Sequence, residues 1–152
     1  MITIIRTQSD NADFQELVKA LDINLQIRDG AEHNFYAQFN SIATIKHVLV
    51  AYNGDKVVGC GAIKPHDDQT MEVKRMYTQP EQRGKGIASI ILKALETWAA
   101  ELGYKKCLLE TGIKQPEAIA LYKKNQYQII PNFGQYAGVE NSVCFEKQLT
   151  NS

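Results

Sequence analysis

The sequence predicts an α/β domain with a mixed, mainly antiparallel sheet, and three observations carry that expectation. Short strand-like runs outnumber helical ones and are interrupted by amphipathic stretches, in the order β-α-α-β-β-β-α-β-α-β-β. Two of the runs meet across Asn53-Gly54-Asp55, a hairpin signal. A basic, glycine-containing turn, Arg83-Gly84-Lys85-Gly86-Ile87-Ala88, joins a strand to the most strongly amphipathic helix.

Taken in order, Ile2 to Thr7 reads as a first strand. Ser9 or Asp10 caps a helix through Leu21 whose apolar face is Phe14, Leu17, Val18 and Leu21. A second helical stretch covers Glu32 to Phe39, with Phe35, Tyr36 and Phe39 at helical spacing. His47 to Tyr52 and Lys56 to Lys64 form the hairpin strands, and Met71 to Thr78 is the strand that feeds the glycine turn. Strict alternation along it would put Glu72, Lys74, Met76 and Thr78 on one face and Val73, Arg75 and Tyr77 on the other. The next helix carries Ile87, Ile91, Leu95, Trp98 and Leu102 on one stripe and ends at Gly103. Lys105 to Thr111 is a strand. Pro116 opens a last helix at the position proline prefers, and Asn125 ends it with a left-handed cap. Tyr127 to Ile130 and Ser142 to Leu149 complete the sheet.

Composition narrows the function. The 152 residues suit a single domain, 1–152, with 44% hydrophobic and 22% charged residues. Seventeen basic and 17 acidic residues cancel to zero net charge, which disfavours nucleic acid or an acidic membrane surface as partner. No apolar run is long enough to span a bilayer, and the N-terminal residues do not form a signal peptide. The three cysteines, Cys60, Cys107 and Cys144, are widely spaced and suit buried thiols in a reducing cytoplasm. No zinc spacing is present, and His33, His47 and His66 are scattered, so no metal is expected.

The glycine turn is the feature with chemistry in it. Glycines let the backbone turn tightly, and the first turn of a helix presents unpaired N–H donors at the positive end of its dipole, so an anion is favoured there. A nucleoside-triphosphate loop requires a glycine where Gln79 stands and is excluded. A dinucleotide fingerprint fits poorly, because Gln79 to Arg83, with Pro80, separates the strand from the turn.

Arg83, Gly86 and Ala88 match an R-x-x-G-x-A pattern that is similar to the signature of the GNAT superfamily of N-acetyltransferases. Its surroundings make the match specific. Glu72 to Thr78, Gln79 to Gln82 and the helix from Ile87 resemble the family's fourth strand, loop and third helix. Leu108-Leu109-Glu110-Thr111-Gly112 resembles its fifth strand, and Ala118 to Tyr127 its "A-x-x-L-Y" helix. The resemblance covers about residues 45 to 149. It implies a GNAT-like sheet of about seven strands with about four helices on both faces, splayed between strands four and five.

The same resemblance implies acetyl-CoA as co-substrate and an amine as acceptor. Backbone groups of Met76, Tyr77 and Thr78 would pair with pantetheine, and amides of Arg83, Gly84, Lys85, Gly86, Ile87 and Ala88 would take the pyrophosphate. Gln115 stands where many members carry an asparagine. Tyr122 falls at the position of the tyrosine that protonates the leaving thiolate. Glu72 resembles the catalytic base of the histone-acetyltransferase branch; its plain alternative is a strand carboxylate paired with Lys74. Glu110 is a second candidate base, or a grip for the substrate ammonium. The acceptor pocket would draw on Asp22, Asp29, Glu32, His33, Tyr36, Phe39 and Asn40, then Phe133, Gly134 and Tyr136. Aromatics with a few carboxylates suit a small amine such as an amino acid or a polyamine-like amine. A protein lysine or N-terminus is the enzymatic alternative, and a non-catalytic acyl-CoA sensor is the alternative of another class. The family also admits a homodimer, which no sequence feature decides.

Overall fold

A computed structural model describes residues 1–29 and 45–149, with the backbone alone for 24–29. The elements are β1 (Ile2–Thr7), α1 (Ala12–Asp29), β2 (His47–Asn53), β3 (Lys56–Pro65), β4 (Thr70–Thr78), α2 (Ile87–Glu101), β5 (Lys106–Gly112), α3 (Pro116–Lys124), β6 (Gln128–Ile130) and β7 (Ser142–Gln148). They follow the expected order, with α1 running past Leu21 to Asp29. The expected helix over Glu32 to Phe39 lies outside the described residues.

The seven strands form one sheet in the order β1-β2-β3-β4-β5-β7-β6. Every neighbouring pair is antiparallel except β4 and β5. Alternation along β2 shows how the sheet separates two cores. Leu49 and Ala51 face α2 and join Ile87, Ile91, Leu92, Leu95 and Ala99. Val48 and Val50 face the other way and join Phe14, Leu17, Val18 and Leu21 of α1. The predicted α2 stripe holds through Leu95, but Trp98 is only partly buried and Leu102 caps the helix at 43% exposure. Glycine at 59 and 61 lets α2 lie close on β3. A Cβ on Gly61 would stand 2.7 Å from Met76 Sδ and 2.8 Å from a Leu95 methyl.

β4 departs from strict alternation. Cys60 faces Tyr77 and Ala62 faces Lys74, so Gly61 opposes both Arg75 and Met76, and Arg75 has φ 58°. This is a β-bulge, which inserts one residue and reverses the facing of everything after it. Met71, Val73 and Met76 therefore pack on the α2 side, while Tyr77 joins the α1 core. The expected grouping of Met76 with Glu72 and Lys74 is wrong for that reason.

The parallel pairing of β4 with β5 is confined to Thr70–Glu72 against Lys106–Leu108. Beyond Glu72 the two strands no longer pair, and a cleft opens between them. Among the described residues no helix is long and apolar enough to cross a membrane, and no group of three or more His, Cys, Asp or Glu could hold a metal ion.

Candidate active site

The cleft has two connected parts. The first is a groove between the end of β4 and the start of α2 on one side and α3 on the other. Met76, Tyr77, Thr78, Arg83, Gly84, Gly86, Ile87 and Ala88 form one wall; Gln115, Ala118, Leu121 and Tyr122 form part of the opposite wall. Gly84 and Gly86 have φ of 79° and 81°, and a Cβ on either would meet nothing within 4 Å. Glycine is needed here for its left-handed backbone, not for space. The first helical hydrogen bond joins Ile90 N–H to Gly86 O at 3.1 Å, so the amides ahead of it are not consumed by the helix.

Arg83 has a structural duty as well. Its Nε donates to Thr78 O at 3.0 Å and its guanidinium lies 5.5 Å from the Tyr77 ring centre, fastening the loop to the end of β4. Lys85 Nζ contacts Gln82 Oε1 at 3.4 Å, and Lys85 is not among the described residues that wall the groove. Glycine-freed backbone donors at a helix start, beside an apolar groove, fit a diphosphate followed by an extended amide-bearing arm.

The second part is a polar cavity deeper in the splay, lined by Glu72, Lys74 and Arg75 of β4, Glu110 of β5 and Tyr136 of the turn before β7. Met76, Gln115, Ala118 and Tyr122 line both parts, so they mark the junction. Tyr122 is 6% exposed, with its ring 5.8 Å from Tyr127 and 5.7 Å from Phe145. Burial, and then the Glu110 charge, hold its phenol above the ordinary range, so it stays protonated at neutral pH.

Glu72 is buried and its Oε2 lies 3.5 Å from Lys74 Nζ. Ser142 Oγ donates to Glu110 Oε2 at 2.7 Å. Tyr136 and Cys144 are raised chiefly by burial, Cys144 to about 11, and both also feel Glu110 and Glu72.

The structure brings Glu72, Glu110, Tyr122, Gln115 and Tyr136 into one cavity. Tyr36 and Phe39, the other expected acceptor residues, lie outside the described residues, as do Glu32, His33 and Asn40. Three features escaped the sequence reading. Arg75 was visible only as an alternating strand residue. Asn125 ends α3 at φ −90° instead of the expected left-handed value, and Gln126 takes φ 73°. Asn125 instead uses its side chain, donating to Leu121 O at 2.9 Å and to Ser89 Oγ at 3.1 Å.

Residues 14–127 match the profile of the Acetyltransferase (GNAT) family. A protein of Azospirillum brasilense named IAA acetyltransferase is 35% identical over 150 residues, spanning 97% of this chain and 98% of its own. A Klebsiella pneumoniae structure described as an acyl-CoA N-acyltransferase superposes with a TM-score of 0.83 at 32% identity, over 99% of both chains. A GNAT acetyltransferase of Elizabethkingia anophelis, solved with acetyl-CoA bound, superposes with a TM-score of 0.71 at 20% identity over 97% of this chain and 98% of its own. At that identity the last likeness concerns the fold alone.

Proposed function

The chain belongs to the GNAT acetyltransferase family, enzymes that move an acyl group from acetyl-CoA to nitrogen, and from that premise we propose that its acceptor is the primary amine of a small metabolite. One observation carries the reading. Two carboxylates on diverging strands, Glu72 and Glu110, line the polar cavity that Tyr122 shares with the groove. An ammonium group is drawn to such a field, and a carboxylate beside it can take the proton that must leave before nitrogen can attack.

Loop amides from Arg83 to Ala88 would hold the diphosphate. The edge of β4 at Met76 to Thr78 would align the pantetheine arm, and Gln115 would meet it from α3. Acetyl-CoA supplies the acyl group as a thioester. Glu110, oriented by Ser142, attracts and positions the ammonium. Glu72 removes its proton, directly or through one water, so that the neutral amine attacks the carbonyl carbon without an acylated protein. As the adduct collapses and the C–S bond breaks, Tyr122, protonated at neutral pH, donates its hydroxyl proton to the departing sulfur and is reprotonated by the proton the nitrogen sheds as the amide forms. Tyr136 closes the cavity against bulk water.

The test is thiol release from acetyl-CoA by the purified protein, with a panel of free amines in parallel with lysine-bearing and free-N-terminus peptides. Turnover on free amines and not on peptides is the expected result. Turnover on peptides alone overturns the small-acceptor reading.

A further inference from the structure

We propose that the acceptor carries a carboxylate beside its amine, as an amino acid does, and that Lys74 and Arg75 read it. This rests on the small-amine reading above. An amine alone would call only for acids in the cavity, yet two cations line it with the two carboxylates, Glu72 and Glu110. The side chains of Lys74 and Arg75 are only 7% and 2% exposed. Burying two cations is unfavourable unless something compensates each of them.

For Arg75 that compensation is incomplete in a specific way. Arg75 gives Nη2 to Asp22, whose own side chain is 49% exposed, while its buried Nε has no hydrogen-bond partner among the described residues. A guanidinium offers five donors in a fixed fork suited to a carboxylate. Lys74 pairs with Glu72 at 3.5 Å in the same cavity. Arg75 also holds φ 58° at the bulge, a strained conformation for a non-glycine residue and one that tends to be kept where it serves a site. Together the four groups complement a zwitterion: acids for the ammonium, and cations two and three residues beyond Glu72, toward the bulge, for the carboxylate. Fastening β4 to α1 through Asp22 would explain Arg75 Nη2 but not the orphaned Nε.

The experiment measures kcat/KM for a panel of amino acids, each paired with its carboxamide and its decarboxylated amine. The carboxylate-bearing member of the preferred pair should be favoured on the order of 30-fold, the size expected for a charged hydrogen-bonding partner. Amine basicity cannot produce that preference over the amide, because the amide's amine is the less basic and is neutral more often. Arg75→Asn, which tolerates a left-handed backbone, should bring the ratio within the pair close to one. Should that variant fail to fold, the wild-type ratio still decides. Wild-type turnover of amides and decarboxylated amines as fast as of amino acids overturns this proposal and leaves the small-amine reading intact. An Arg75→Asn enzyme that keeps the full ratio overturns the role of Arg75. Turnover on peptides alone overturns both.

Discussion

Asn125, at the end of α3, donates from Nδ2 to Ser89 Oγ in the first turn of α2, 3.1 Å away. The bond ties the helix that carries Tyr122 to the helix that begins at the glycine loop. One side chain thus bridges the two walls of the groove.

Replacing that side chain with an apolar one of similar size should loosen the coupling. Asn125→Leu is expected to cost about 1 kcal/mol of stability, the net worth of a typical hydrogen bond. Calorimetry should show weaker coenzyme A binding, and the KM for acetyl-CoA should rise several-fold. Unchanged affinity would mean that the two helices hold their relative position by packing alone.

Gln126 occupies φ 73° immediately after that cap. A non-glycine residue there costs roughly 1–2 kcal/mol, partly offset by the chain entropy that glycine would lose on folding. Gln126→Gly is expected to raise the denaturation midpoint, by the equivalent of about 0.5–1 kcal/mol, without altering kcat.

Tyr122→Phe keeps the ring packed between Tyr127 and Phe145 and removes the proton donor. A drop in kcat of about a hundredfold with little change in acetyl-CoA affinity is expected, as for loss of a general acid. An unaltered rate at saturating acetyl-CoA removes Tyr122 from the chemistry.

On the far side of the sheet edge, Glu96 accepts from Tyr127 Oη and from Lys147 Nζ, each at 2.9 Å, while 8% exposed. Lys147→Met would leave that carboxylate with the phenol alone. A loss of about 2–3 kcal/mol is expected in denaturant unfolding, because a buried charge that loses its partner is strongly unfavourable.

Stability should fall in alkali. Burial raises Cys60 and Cys107 from 9.0 to about 12 and holds Tyr122, Tyr127 and Tyr136 above 10.0. Each group keeps its proton in the folded protein at a pH where the unfolded chain has already released it. Stability is therefore unaffected below about pH 8 and declines as pH rises through 9 and 10, by up to about 1.4 kcal/mol per pH unit for each group. Denaturation midpoints between pH 7 and 10.5 check this, and Cys60→Ala should make the decline shallower.

The alkaline effect and the glycine loop illustrate what was readable along the chain. Buried thiols follow from Cys60 and Cys107 sitting in apolar strands, and the groove wall from Arg83 to Ala88 follows from residue spacing. The Glu72–Lys74 pair was foreseeable because both residues sit two apart on one face of a strand, before the bulge. The Asn125–Ser89 bond and the left-handed Gln126 were not, because they depend on where α3 ends against α2.

By itself the sequence determined the order of the described elements and the glycine turn that starts α2, since periodicity and glycine act over a few neighbouring positions. Only the tertiary structure decided which faces those residues share. The β4 bulge sets two residues opposite Gly61 of β3. That one insertion turns Met76 toward α2 and places the Arg75 guanidinium against Asp22, 53 residues away. Such pairings are settled by register and packing between distant segments, and no local pattern encodes them.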